Sequence, residues 1–143
     1  MLDPATGQQL EDELYRACLH DGLDRHSPTD LAKLIQNYGY KDDFEPGAKW
    51  GDVKRWLDLG KPCIVHGWFT RAGHIIVIRG YNDLGWIVND PYGEWWKHGY
   101  DINVRGAGLT YSYGMMKNLC GTDGDLWIHY VGIGFQNCGI LDR

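Results

Sequence analysis

Apolar residues recur at helical intervals over roughly the first sixty positions and at strand intervals from Cys63 onward. Leu10, Leu14 and Cys18 fall every four residues with Ala17 beside them, which predicts an amphipathic helix ending near Asp21-Gly22 and turns Cys18 toward a core. Ser27-Pro28-Thr29-Asp30 reads as an N-cap, a proline at the first helical position and an acidic residue in the first turn. Leu31, Leu34, Ile35 and Tyr38 continue that helix, and Gly39 stops it. Trp50, Val53, Trp56 and Leu57 mark a third helix, closed by Gly60 and Pro62. Three helices are therefore expected before any strand.

The period then changes. CIVHGWF, HIIVIRGY and WIVND are short, rich in β-branched and aromatic residues, and bounded by turn residues, so they are expected to be strands. Asn82-Asp83-Leu84-Gly85 should join the second and third as a hairpin, and Leu126 to Val131 should form a last strand. Tyr92 to Asn118 is aromatic, glycine-rich and weakly periodic; it is expected to be a long ordered loop in which Tyr113 to Leu119 can form one or two helical turns. The predicted class is α+β, three N-terminal helices followed by a mainly antiparallel sheet.

Composition narrows the picture. A length of 143 residues with 43% hydrophobic content suits a single domain spanning 1–143, with 132–143 as a C-terminal tail. A net charge of −5 offers no attraction to a phosphate backbone, so nucleic acid is not an expected partner. No apolar run approaches the roughly 20 residues that span a bilayer, so no membrane segment is expected. MLDPATGQQLEDE has neither a basic start nor an apolar stretch; synthesis without export is the expectation, unless an upstream segment supplies an export signal. Cys18, Cys63, Cys120 and Cys138 lack metal-binding spacing, so no metal is expected as a cofactor. In a reducing compartment disulfides are not expected either, although the even count leaves them open.

The candidate chemistry lies in GHIIVIRGYNDLGWIVNDP, residues 73–91. His74 opens one strand and Asp90 closes its hairpin partner, so both should emerge at the same end of the sheet with pairing offset by two or three residues. A carboxylate beside an imidazole orients the ring, fixes its tautomer and stabilises the imidazolium, as a general base acting on a thiol or hydroxyl requires. Pro91 ends the strand and helps fix where Asp90 points. The plainer alternative is a surface histidine and a turn aspartate that merely end two strands.

The stretch GKPCIVHGWFTRAGHIIVIRGYNDLGWIVNDPYGEW, with the helical DLAKLIQNYGYKDDF before it, resembles the peptidase C-thirty-nine-like family. These are papain-like cysteine peptidases related to the domains that remove bacteriocin leader peptides, and the likeness is greatest to bacterial and phage members of unassigned substrate. The resemblance implies a papain-like fold, with His74 as catalytic base and Asp90 as its orienting residue. It also implies a nucleophilic cysteine upstream, at the start of a long helix in a segment like CGPTS or CNVTS with an oxyanion-hole glutamine before it. Met1 falls after that point, so the expectation is a papain-like fold lacking the nucleophile helix, either a fragment or a pseudoenzyme.

The cysteines present are weak substitutes. Cys18 on an apolar stripe and Cys63 early in a core strand read as packing residues. Cys120 in Asn-Leu-Cys-Gly could be exposed, and Cys138 in Phe-Gln-Asn-Cys-Gly copies the Gln-to-Cys order of a papain-type nucleophile, but only Ile140 to Arg143 follow beyond Gly139. His66 and His129 lie within predicted strands and read as ordinary partly exposed histidines. Tyr92, Trp95 and Trp96, with Tyr100, Tyr111 and Tyr113, could line a groove for a peptide or a peptidoglycan-like ligand, or simply pack the loop onto the sheet. Three functions follow: a cysteine peptidase or amidase relative, expected to be inactive as given for want of the nucleophilic cysteine; a peptide- or cell-wall-binding module without turnover; and a structural or interaction domain, as in a phage particle. Apolar surface left by an absent helix would make a second copy of the chain a possible partner.

Overall fold

The computed structural model describes residues 10–133, with side chains from Leu14 to Gly132. The chain divides into two compact units, one reaching Asp42 and the other running from Asp43 to Gly132. In the first unit, α1 (Leu10–His20) and α2 (Pro28–Asn37) form where the apolar spacing predicts them. Cys18 is buried, and α2 is capped as its sequence requires, with Ser27 Oγ accepting from the Asp30 backbone N–H at 3.3 Å.

A strand then intervenes. β1 (Tyr40–Glu45) precedes α3 (Trp50–Asp58), which corrects the expectation that three helices come before any strand. YKDDFE carries four charged residues and mostly exposed side chains, the pattern of a strand at a sheet margin, so no apolar alternation announces it. Its end from Asp43 belongs to the second unit. There follow β2 (Cys63–Gly67), β3 (His74–Tyr81), β4 (Gly85–Asn89), β5 (Glu94–Trp96), β6 (Gly99–Asp101), β7 (Ala107–Ser112), α4 (Tyr113–Leu119) and β8 (Ile128–Ile133). The main sheet has the order β1-β8-β2-β3-β4-β7, and β5 and β6 form a separate two-stranded hairpin. The fold is α+β with a mostly antiparallel sheet, as predicted, and agrees with a papain-like architecture. The segment expected to be a long loop instead holds three strands, while α4 forms over Tyr113–Leu119, where helical turns were expected. Two of those strands are three residues long, too short for any period to show.

Alternation sorts the sheet into two faces. Cys63, Val65, Ile76, Ile78, Trp86, Val88, Tyr111 and Ile128 pack with Val53 and Leu57 of α3 and Met116 of α4 in one core. Trp50 of α3 lies 5.0 Å from Trp86, ring centre to ring centre. On the other face Ile64, Ile75, Val77 and Ile87 are half-buried. Among the described residues, no helix is long and apolar enough to cross a membrane.

Ile78 sits fully buried at the centre of this core. Ile78→Ala should cost about 2–5 kcal/mol in urea unfolding, whereas Ile102→Ala, at a residue 79% exposed, should change stability by less than about 0.5 kcal/mol.

Candidate active site

Two turns set the site. Before β3, Thr70 Oγ1 donates to Gly73 O at 3.0 Å and the Gly73 N–H returns to Thr70 O, closing a turn that delivers His74 opposite Gly67 at the first rung of the β2–β3 ladder. After β4, Asp90-Pro91-Tyr92-Gly93 forms a second turn, closed by the Gly93 N–H to Asp90 O at 3.2 Å, with proline at the position that wants its fixed φ. Gly93 leaves this turn at φ +109° beside the Asp101 carbonyl, a conformation and closeness that a side chain would not tolerate. Val77 pairs with Asn89, so the ladder aims Asp90 at the level of Ile76 and makes His74 its diagonal neighbour on the same face.

That arrangement joins the predicted pair. His74 Nε2 lies 2.9 Å from Asp90 Oδ1, with the side chains 7% and 0% exposed. Asp90 Oδ1 also accepts from the Tyr92 N–H at 3.1 Å, while Oδ2 accepts from Tyr100 Oη at 2.8 Å and Tyr111 Oη at 2.7 Å. Burial alone would raise the pKa of this carboxyl. The bonds from His74, Tyr111, Tyr100 and the Tyr92 backbone together outweigh burial and hold it below the ordinary carboxylate value. Both phenols are shifted strongly upward, by burial first and by Asp90 second, so they remain donors. With Nε2 engaged by Asp90, Nδ1 is the ring nitrogen without a partner among the described residues.

Aromatic rings enclose the imidazole. Tyr92 stacks on it at 4.1 Å and 18°, and Phe69 and Tyr100 meet it edge-on at 6.1 and 5.9 Å. Of the three aromatics expected to face a ligand, Tyr92 and Trp96 are exposed, whereas Trp95 is half-buried and anchored, its indole N–H donating to Phe69 O at 2.9 Å. Trp68, 58% exposed and packed near Gly73, is a further surface ring beside the site that the sequence did not single out. Nor did it separate Tyr100 and Tyr111, which bind Asp90, from the other aromatics of their segment.

The thiols are differently placed. Cys120, whose exposure the sequence left open, is buried, 2% exposed in the C-cap position of α4. It does lie toward the His74 end of the sheet: a Cβ on Gly67, the cross-strand partner of His74, would stand 2.7 Å from Cys120 Sγ and against the Phe69 ring. Burial pushes the thiols of Cys63 and Cys120 up to about 12, and burial likewise raises that of Cys18. Cys138 lies outside the described residues. Among the described residues, no group of three or more His, Cys, Asp or Glu could hold a metal ion.

His129 is not the partly exposed histidine it was expected to be, and His66, half-buried, faces it. Their Nε2 atoms are 2.8 Å apart, among Phe44 and Trp127, and His129 is fully buried. The apolar alternation of their strands hid this, because a histidine on a strand face is silent about what lies across the ladder.

An α+β fold with a histidine–carboxylate pair at one end of an antiparallel sheet is of the papain-like cysteine peptidase kind. A model of the Peptidase_C39 like family matches residues 3–120, and the chain belongs to that family. No curated protein and no solved structure gives a significant match.

Burial, and then the neighbouring His129, lower the His66 pKa to about 4 from an ordinary 6.5. The unfolded chain thus binds this proton more readily than the folded one. His66 therefore contributes stability that is complete above about pH 6.5 and lost as pH falls toward 4. Urea midpoints should decline across that window, and His66→Gln should flatten the decline.

Proposed function

We propose that this chain is a cysteine-peptidase-like domain in which His74 and Asp90 form the acid/base half of a site acting on peptide or peptidoglycan-type amide bonds. The observation that carries this reading is the buried bond from His74 Nε2 to Asp90 Oδ1, which leaves Nδ1 for the chemistry. In such a site Nδ1 accepts the proton of a thiol, and the thiolate attacks the amide carbonyl carbon. The imidazolium then gives that proton to the leaving amine, and water attacks the thioester with the same nitrogen as base. Asp90 keeps Nε2 protonated throughout and stabilises the imidazolium. No metal or organic cofactor enters this sequence of steps. The exposed rings of Trp68 and Tyr92 supply flat apolar contact for a substrate beside the histidine, and Trp96 is exposed on β5.

A second reading, binding of such a ligand without turnover, is favoured by the state of the thiols. A nucleophilic cysteine needs a depressed pKa and an approach to the base, whereas Cys18, Cys63 and Cys120 are buried with their pKa values raised. Cys120 also sits at the negative end of its helix, which disfavours a thiolate further.

Quenched-fluorescence peptide libraries and muropeptides, assayed with and without a thiol-directed inhibitor, separate the two. Under the first reading hydrolysis occurs, is blocked by the inhibitor, and falls about 10²–10⁴-fold in His74→Ala. Under the second, a ligand binds without being cleaved, and Trp68→Ala or Tyr92→Ala weakens binding about tenfold, roughly 1.4 kcal/mol. Neither hydrolysis nor binding across the panel would sink both. Turnover that disappears in Cys120→Ser with the fold intact would make Cys120 the nucleophile, against the burial argument.

A further inference from the structure

We propose that Tyr100 and Tyr111 are positioning residues for His74, acting through Asp90 by committing its second oxygen so that the first serves the imidazole. This rests on the reading of His74 as the acid/base group.

A carboxylate presents about four lone-pair sites. Here Oδ1 takes His74 Nε2 and the Tyr92 N–H, and Oδ2 takes the two hydroxyls, so four bonds fill those sites on a side chain with no exposure. With Oδ2 held from two directions, by Tyr100 on β6 and Tyr111 on β7, the carboxylate cannot turn about its own axis to present a different oxygen to the ring. The plane of the imidazole, and the direction of Nδ1, follow from that.

The hydroxyl of Tyr111 is itself aligned. It accepts the Trp95 backbone N–H at 2.9 Å and so directs its own proton to Asp90 at 2.7 Å, the other acceptor in reach being Gly93 O at 3.4 Å. Trp95 pairs with Tyr100 across the β5–β6 hairpin. The hairpin is thus fastened to Asp90 twice, directly through Tyr100 and through the Trp95 N–H to Tyr111. Tyr100 additionally rests its ring edge on both the imidazole and Tyr92, 5.9 and 5.6 Å between centres.

The two hydroxyls also share the carboxylate's charge. A carboxylate that donates part of its electron density to two phenols is a poorer base toward the imidazolium, so the proton stays on Nε2 and is not drawn across to Asp90. Simple packing requires none of this: phenylalanine at 100 and 111 would fill nearly the same volume, removing one donor to Asp90 at 100 and, at 111, both a donor to Asp90 and the acceptor of the Trp95 N–H.

The test uses the full chain, labelled for NMR, with Tyr100→Phe, Tyr111→Phe and the double variant. Asp90 13Cγ is followed against pH, and the His74 Nε2–H by its 15N shift and its exchange with water. Each single variant should raise the Asp90 midpoint by about one pH unit, the double variant by more, and the Nε2–H should exchange at least about tenfold faster. An Asp90 midpoint and an Nε2–H exchange rate that are unchanged in a folded double variant would overturn the inference. If Tyr111→Phe does not fold, 3-fluorotyrosine placed at 111 or 100 keeps the hydroxyl while making it a stronger donor; the Asp90 midpoint should then fall, and an unmoved midpoint overturns the inference equally. These readouts do not need turnover. The expected shifts in a chain that hydrolyses nothing would uphold the positioning role and remove the peptidase reading, whereas unmoved shifts in an active chain would remove the positioning role alone.

Discussion

A carboxylate that is buried in its charged form must be answered by donors, and Asp90 is the buried group around which this half of the molecule is organised. Its donors come from β3, from its own turn, from β6 and from β7. None of those segments can shift without leaving an anion short of a hydrogen bond inside the protein. That requirement explains why residues 92–112 are ordered despite their glycine content and their short strands. The chain returns past Asp90 once on β6 and again on β7, and each pass leaves a tyrosine hydroxyl on Oδ2. The same requirement places the imidazole, because Oδ1 is the oxygen left for it.

What could be read from the sequence was what depends on neighbours along the chain. The Ser27 cap, the Gly60 stop and the Asn82 turn are local devices, and each forms where its residues stand, with Asn82 Oδ1 accepting from the backbone of Leu84 and Gly85. That His74 and Asp90 end near one another was legible for the same reason, since one short hairpin joins them; the one-residue register shift between Ile78 and Gly80, which brings Asp90 level with Ile76 and so onto the face of His74, was not. What lay hidden was long-range. Nothing in Gly-Tyr-Asp or Leu-Thr-Tyr-Ser distinguishes a tyrosine that binds a buried carboxylate from one that packs. The strand YKDDFE is polar because it lies at the sheet margin, so the alternation that reveals central strands is missing from it. The burial of Cys120 was hidden because the space its thiol fills is left by Gly67, more than fifty positions earlier, having no side chain.

The location of Cys120 also bears on how the chemistry is divided. The thiol sits toward the His74 end of the sheet, beside Gly67 and the Phe69 ring, but position along the sheet is not what makes a nucleophile. A thiolate needs positive potential and some access to water, and Cys120 has the C-terminal end of α4 and an apolar enclosure instead. The environment that makes it a good core residue is what makes it a poor nucleophile. The described thiols therefore belong to the core.

The two histidine environments in this sheet make the role of the carboxylate concrete. His66 is half-buried next to another imidazole, with a ring nitrogen 2.8 Å from that of His129, and a second positive charge there would face a first across that distance. Burial and that neighbour hold His66 neutral down to about pH 4, so it offers no charged form near neutrality. His74 is enclosed as well, but the atom facing its Nε2 is an anion, and an imidazolium formed there would be paired from the moment it appeared. Burial by itself thus disarms a histidine as an acid/base group. Burial against a carboxylate whose other bonds are already made gives an enclosed imidazole a counter-charge, and in the described residues that arrangement is found at His74 and not at His66.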